Sequence, residues 1–168
     1  MDHDRAHRRS VLGVAAAMVA AARRGDLDAA VGALLRLRDS DGHIPREDMC
    51  LLLAVLVRYA GRLLNGIVSA HGDPATAKLH LADENGPVPV DRAAPADRTI
   101  LRAVLAAMHG HPEDADMHIA IALEHAESRD HSQLIGRAVE LASGAVREAE
   151  RLRVPIPALQ LPPQAVLP

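Results

Sequence analysis

From Met49 to Val57 the chain reads Met-Cys-Leu-Leu-Leu-Ala-Val-Leu-Val, nine residues without a charge. A helix built from them is apolar on every side and belongs inside a protein or a membrane. A membrane span needs roughly 20 apolar residues, and Arg58 and Arg62 interrupt this run too early. The pattern therefore predicts a buried central helix, opened by Pro45 with Glu47 and Asp48 in its first turn and ending near His71-Gly72. Other stretches carry one apolar stripe each at helical spacing. Val11, Val14, Ala15, Met18, Val19 and Ala22 mark a first helix from about His7 to Arg24. Leu27, Ala30, Val31, Leu34 and Leu37 mark a second, with Asp26 as its N-cap. Asp39 to Gly42 is a turn cluster.

The second half follows a similar plan. Asp73-Pro74 could open a short helix reaching about Leu81. Residues 82–95 then read as an ordered loop: Asn85-Gly86 and the alternation around it suggest a hairpin, but Pro87 and Pro89 weaken it. Ile100, Leu101, Val104, Leu105 and Met108 define a helix from about Ala96 to His109. Pro112 opens the next, which ends near Ser128. Asp130 caps a long last helix carrying Leu134, Ile135, Ala138, Val139, Ala142 and Val146 to about Leu152. Beyond it, Val154-Pro-Ile-Pro-Ala-Leu-Gln-Leu-Pro-Pro cannot be helical.

The two halves match. Gly25 and Gly110, Ala30 and Ala115, and Leu34 and Ile119 are each 85 positions apart (110 − 25 = 85). The long helices match 83 apart at Leu51/Leu134, Leu56/Val139 and Leu63/Val146 (134 − 51 = 83). The expectation is an all-α fold of six main helices in two similar three-helix units around a buried central helix. A single domain covers 1–153, with halves 7–71 and 96–152 joined by 72–95, and an extended Pro-rich tail covers 154–168. The Gly-x-x-x-x-Ala turns, Gly25 with Ala30 and Gly110 with Ala115, resemble the helix-A to helix-B corner of tetratricopeptide repeats. That resemblance implies a helical hairpin and a binding role. The aromatic positions of the family are absent, and its repeat of about 34 residues is not the spacing found here.

Hydrophobic residues make up 49% of the 168 positions and aromatic residues only 1%. The core must come from aliphatic side chains, each burying little area, so many contacts are needed at about 25 cal/mol per Å². A net charge of −3 argues against a general nucleic-acid binder, which needs a basic face, and the scarcity of rings removes stacking platforms for single strands. The one cysteine, Cys50, reads as a packed thiol. His7-Arg-Arg-Ser-Val-Leu-Gly-Val followed by Ala15–Ala22 resembles a twin-arginine export signal over residues 1–22. The same residues make an amphipathic first helix, and that reading, with a cytoplasmic protein, is preferred.

Among ten histidines, His111, Asp114 and His118 form the most suggestive set, with His109 and His125 near them. Asp114, His118 and His125 fall within about 40° on one helix, and a carboxylate with imidazoles can ligate zinc or a similar ion. The competing reading, a solvated stripe beside the core face, is preferred because the spacing matches no ligand signature. No nucleophile elbow or phosphate-cradling glycine loop occurs, so the chain leans away from enzymes and implies no particular cofactor. The tail's Ile156, Leu159 and Leu161 are too apolar to be left in water. They either pack back on the domain or dock on a partner. The expected function is a non-catalytic protein-interaction or regulatory module with a protein partner or a homo-oligomer, and no nucleic acid or membrane. The alternative is a small-ligand or metal-binding helical protein with its site around His111, Asp114 and His118.

Overall fold

A computed structural model describes the backbone of residues 2–72, 81–83, 86–88, 92–125 and 128–162, and side chains of 4–72, 92–124 and 131–162. Six helices dominate them: α1 (Asp2–Arg23), α2 (Leu27–Leu34), α3 (Arg46–His71), α4 (Pro95–Met108), α5 (Pro112–His125) and α6 (Ser128–Leu152). A single 3-10 turn, Leu35–Leu37, extends α2. Strands β1 (Leu81–Asp83) and β2 (Gly86–Val88) pair antiparallel with Leu81 opposite Val88. A short hairpin thus stands where a loop was the preferred expectation; each strand is only three residues long, and β2 carries Pro87. The expected helix over 73–81 lies mostly outside the described residues.

The helix ends follow local chemistry. Asp26 accepts a hydrogen bond from the Ala29 amide at 2.9 Å, the expected N-cap. After α1, the Asp26 amide donates to the Ala21 carbonyl at 3.0 Å and the Gly25 amide to Ala22 at 3.1 Å. After α4, the His111 amide donates to Ala106 at 2.8 Å and the Gly110 amide to Ala107 at 3.3 Å. Both are Schellman corners, and Gly25 (φ 72°) and Gly110 (φ 83°) take the left-handed conformation they require. A third such corner ends α6, where the Val154 amide donates to Ala149 at 2.8 Å and Arg153 to Glu150 at 3.1 Å. There Arg153 is left-handed at φ 57°, which costs a non-glycine residue about 1–2 kcal/mol. Helix α6 starts at Ser128, so Asp130 lies inside it and not at its cap.

Helix α3 is the central rod. Leu52, Leu53, Leu56 and Val57 are fully buried and Leu63 nearly so, each contributing about 1.5–3 kcal/mol. Helices α1, α4, α5 and α6 all pack on it, and α6 makes the most extensive contact. Among the described residues α3 is the one helix long and apolar enough to cross a membrane, yet its apolar run is covered by the rest of the chain. Val11, Val14, Ala15, Met18 and Val19 of α1 belong to the same core, so the stretch resembling an export signal supplies core residues from Val11 onward.

One close crossing depends on the absence of a side chain. A Cβ on Gly61 of α3 would lie 2.7 Å from the Ala107 Cβ and 2.9 Å from the Met108 amide nitrogen of α4. Beside it, the Asn65 side-chain amide donates to the Met108 carbonyl at 2.8 Å and caps the end of α4. The Gly61→Ala variant is expected to lose about 1–3 kcal/mol through overpacking. Gly136→Ala in α6, where a Cβ would meet nothing within 4 Å, is expected to gain about 0.5–1 kcal/mol. Chemical denaturation of both variants checks the pair.

Candidate functional site

Helix α2 is covered on one face and bare on the other. Ala30, Ala33 and Leu37 are buried and Leu34 is half-buried against the core. Leu27, Val31 and Leu35 are 71%, 54% and 41% exposed. Their i, i+4, i+8 spacing lines them up on a single face. This corrects the sequence reading, which turned Leu27 and Val31 inward. The small Ala30 and Ala33 face the core, and that turns the larger residues outward. A second exposed pair, Met117 and Ile121, sits on α5.

The segment after α6 is an extended strap. Val154, Leu159 and Leu161 pack against the core, Pro162 is buried, and Ile156 is 42% exposed. Val154 passes over α3 at Gly66. The Arg62 guanidinium then donates to the Ala158 carbonyl at 3.0 Å and to the Gln160 side-chain oxygen. Arg8 of α1 donates to the Pro162 carbonyl at 2.6 Å. Arg23, at the far end of α1, pairs with Glu150 of α6. The strap therefore runs back along α1, from its Arg23 end to its Arg8 end. These points are 15 residues apart (23 − 8 = 15), or about 22 Å of helix, which nine extended residues span at about 3.1 Å each. Of the two readings of the tail, packing back on the domain describes residues 154–162. Burial lowers the proton affinity of Arg62, offset in part by Tyr59 and reinforced by Arg58; a guanidinium stays charged regardless.

The chemistry-bearing side chains are largely engaged with one another. Asp116 of α5 is buried and forked by Arg58 of α3, whose Nε donates to one carboxylate oxygen at 3.2 Å while an Nη donates to the other. Asp48 is buried with His7 Nε2 2.5 Å away. Burial raises the Cys50 thiol above its usual range, Arg46 works against that through its charge and a hydrogen bond, and Asp116 adds to the rise. Burial likewise raises Tyr59, opposed by Arg23 and Arg62 and assisted by Glu150.

The suggested metal set is not gathered. His111 and Asp114 are exposed and His118 is half-buried. Among the described residues no group of three His, Cys, Asp or Glu side chains could hold a metal ion. The His125 side chain lies outside the described residues. The residues that sequence reasoning gave no partners are Arg8, Arg62 and the Arg58–Asp116 fork; Arg58 and Arg62 figured there only as the end of the apolar run. A signal was present: two arginines on a helix expected to be buried all round need partners. No family model, curated protein or solved structure matches the chain.

Two measurements follow from these pairs. Arg58→Met strands the Asp116 carboxylate and is expected to cost about 3 kcal/mol, most of which Arg58→Met/Asp116→Leu recovers; paired denaturant melts test this. For Cys50 and Tyr59 the folded chain holds its protons to higher pH than the unfolded chain. As pH rises above the ordinary values of 9.0 and 10.0, the unfolded state ionises first and stability falls. Below pH 8 these two groups leave it unchanged. Melting temperature against pH, with Cys50→Ala and Tyr59→Leu as controls, should show the alkaline slope shrink.

Proposed function

We propose that this protein is a non-catalytic helical interaction module whose working surface is the outer face of α2. The observation that carries the reading is the exposed row Leu27, Val31 and Leu35. Three large apolar side chains on one helix face form a patch of the kind that docks another protein. The core does not need them, since Ala30, Ala33 and Leu37 already seat α2. Met117 and Ile121 on α5 offer a second, smaller patch of the same kind, a surface on which two copies could meet. A cytoplasmic location is part of this reading, because α1 serves the core.

The proposal includes an internal duplication: two three-helix units, α1–α3 and α4–α6. Equivalent hydrogen bonds 85 residues apart at Asp26/His111 and Gly25/Gly110 support it. So does the pattern of contacts, in which α1 packs on α2, α3 and α6 while α4 packs on α5, α6 and α3. The two long helices meet in the middle. The match is looser at the outer helices, since α5 packs on α3 more closely than α2 does on α6. That asymmetry leaves α2 less covered.

The test is a triple variant, Leu27→Ser/Val31→Ser/Leu35→Ser. Exposed substitutions move stability by about 0.5 kcal/mol or less each, so the melt should stay close to wild type. Proteins that co-purify with the wild-type chain in near-stoichiometric amount should be lost, and their cross-links to α2 with them. Undiminished recovery of the same partner by the variant would rule out α2 as the surface.

A further inference from the structure

The strap offers an inference that does not rest on the α2 surface. Three corners in this chain share one hydrogen-bond scheme: those at Gly25, Gly110 and Arg153. Two of them use glycine at the left-handed position, while the third forces an arginine there at φ 57°. The cause is local. Val154 precedes Pro155 and is held extended, so the reversal that lays the strap back along α1 falls on Arg153. If Arg153 relaxes to negative φ, the strap points away from its own body. Its apolar residues then have no cover within that copy.

We propose that two copies of this chain exchange straps, each seating residues 154–162 of the other. The seat suits this occupant because it already holds it: Arg62 grips the Ala158 carbonyl and Gln160, Arg8 grips the Pro162 carbonyl, and Val154, Leu159 and Leu161 lie on the core. A second copy's strap makes the same contacts, so the seat does not discriminate between them. What differs is the hinge, strained in the closed form and relaxed in the exchanged one. Short hinges under strain favour exchange. Concentration sets the balance, since only the exchanged form requires association.

Native mass spectrometry and light scattering across a concentration series test the exchange on the full chain. The wild type should show a concentration-dependent dimer. Arg153→Gly relieves the closed form and should weaken the dimer by at least about 25-fold, since each exchanged dimer relaxes two left-handed non-glycine residues, each worth a factor of about five. Arg153→Pro cannot take positive φ and should shift the chain toward dimer. Arg8→Ala/Arg62→Ala loosens the seat in the closed and exchanged forms alike, so it should lower the melting temperature and leave the monomer–dimer balance unchanged. The proposal is overturned by a wild type that stays monomeric, by equal dimerisation of wild type and Arg153→Gly, or by a dimer constant that shifts with Arg8→Ala/Arg62→Ala. Should Arg153→Pro fail to fold, the comparison of wild type with Arg153→Gly decides alone. Leu27→Ser/Val31→Ser/Leu35→Ser should leave the dimer intact, so loss of either surface is read separately.

Discussion

The structure depends on covering one helix on every side. Helix α3 carries too many leucines and valines in sequence to have a wet face from Leu51 to Val57. Helices α1, α4, α5 and α6 meet that demand. With no phenylalanine or tryptophan in the chain, coverage has to come from close approach of small side chains. The core accordingly mixes alanines such as Ala15, Ala54, Ala60, Ala103 and Ala142 with leucines and valines. Gly61 is the extreme case, where even a methyl group is too large.

That close packing explains how polar groups are treated inside. Where α3 emerges from its apolar run at Arg58, the guanidinium stays mostly covered and forks onto Asp116 of α5. One turn later the half-buried Arg62 holds the strap through its carbonyl and amide oxygens instead. A buried pair of this kind is a weak source of net stability. It is a strong constraint on which helix lies where, since either partner alone would be stranded.

Much of the helical plan was legible in sequence because its signals are local. Glycine at a corner, aspartate at a cap, proline at a first turn and a 3.6-residue period all act within a few residues. Pro112, Asp26 and Gly110 sit in the structure where that logic puts them. The α2 surface was harder to read because its two apolar faces compete. The heptad-like stripe through Leu27 and Val31 is as regular as the one through Ala30, Ala33 and Leu37. Only the tertiary contact, which prefers small residues where α2 meets α1, chooses between them. The strap's seat was harder still, because Arg8 and Arg62 are 54 residues apart (62 − 8 = 54) and meet only once α1 and α3 are packed. Hydrogen bonds from such residues to backbone carbonyls leave no side-chain signature in the partner segment.

The single tyrosine sits where several of these threads meet. Tyr59 is buried on α3, with Arg23, Glu150 and Arg62 as its charged neighbours. Because the chain has no tryptophan, no other ring competes for excitation energy. The intrinsic ultraviolet emission of this protein is therefore an optical probe of one corner, sensitive to the guanidinium that grips the strap.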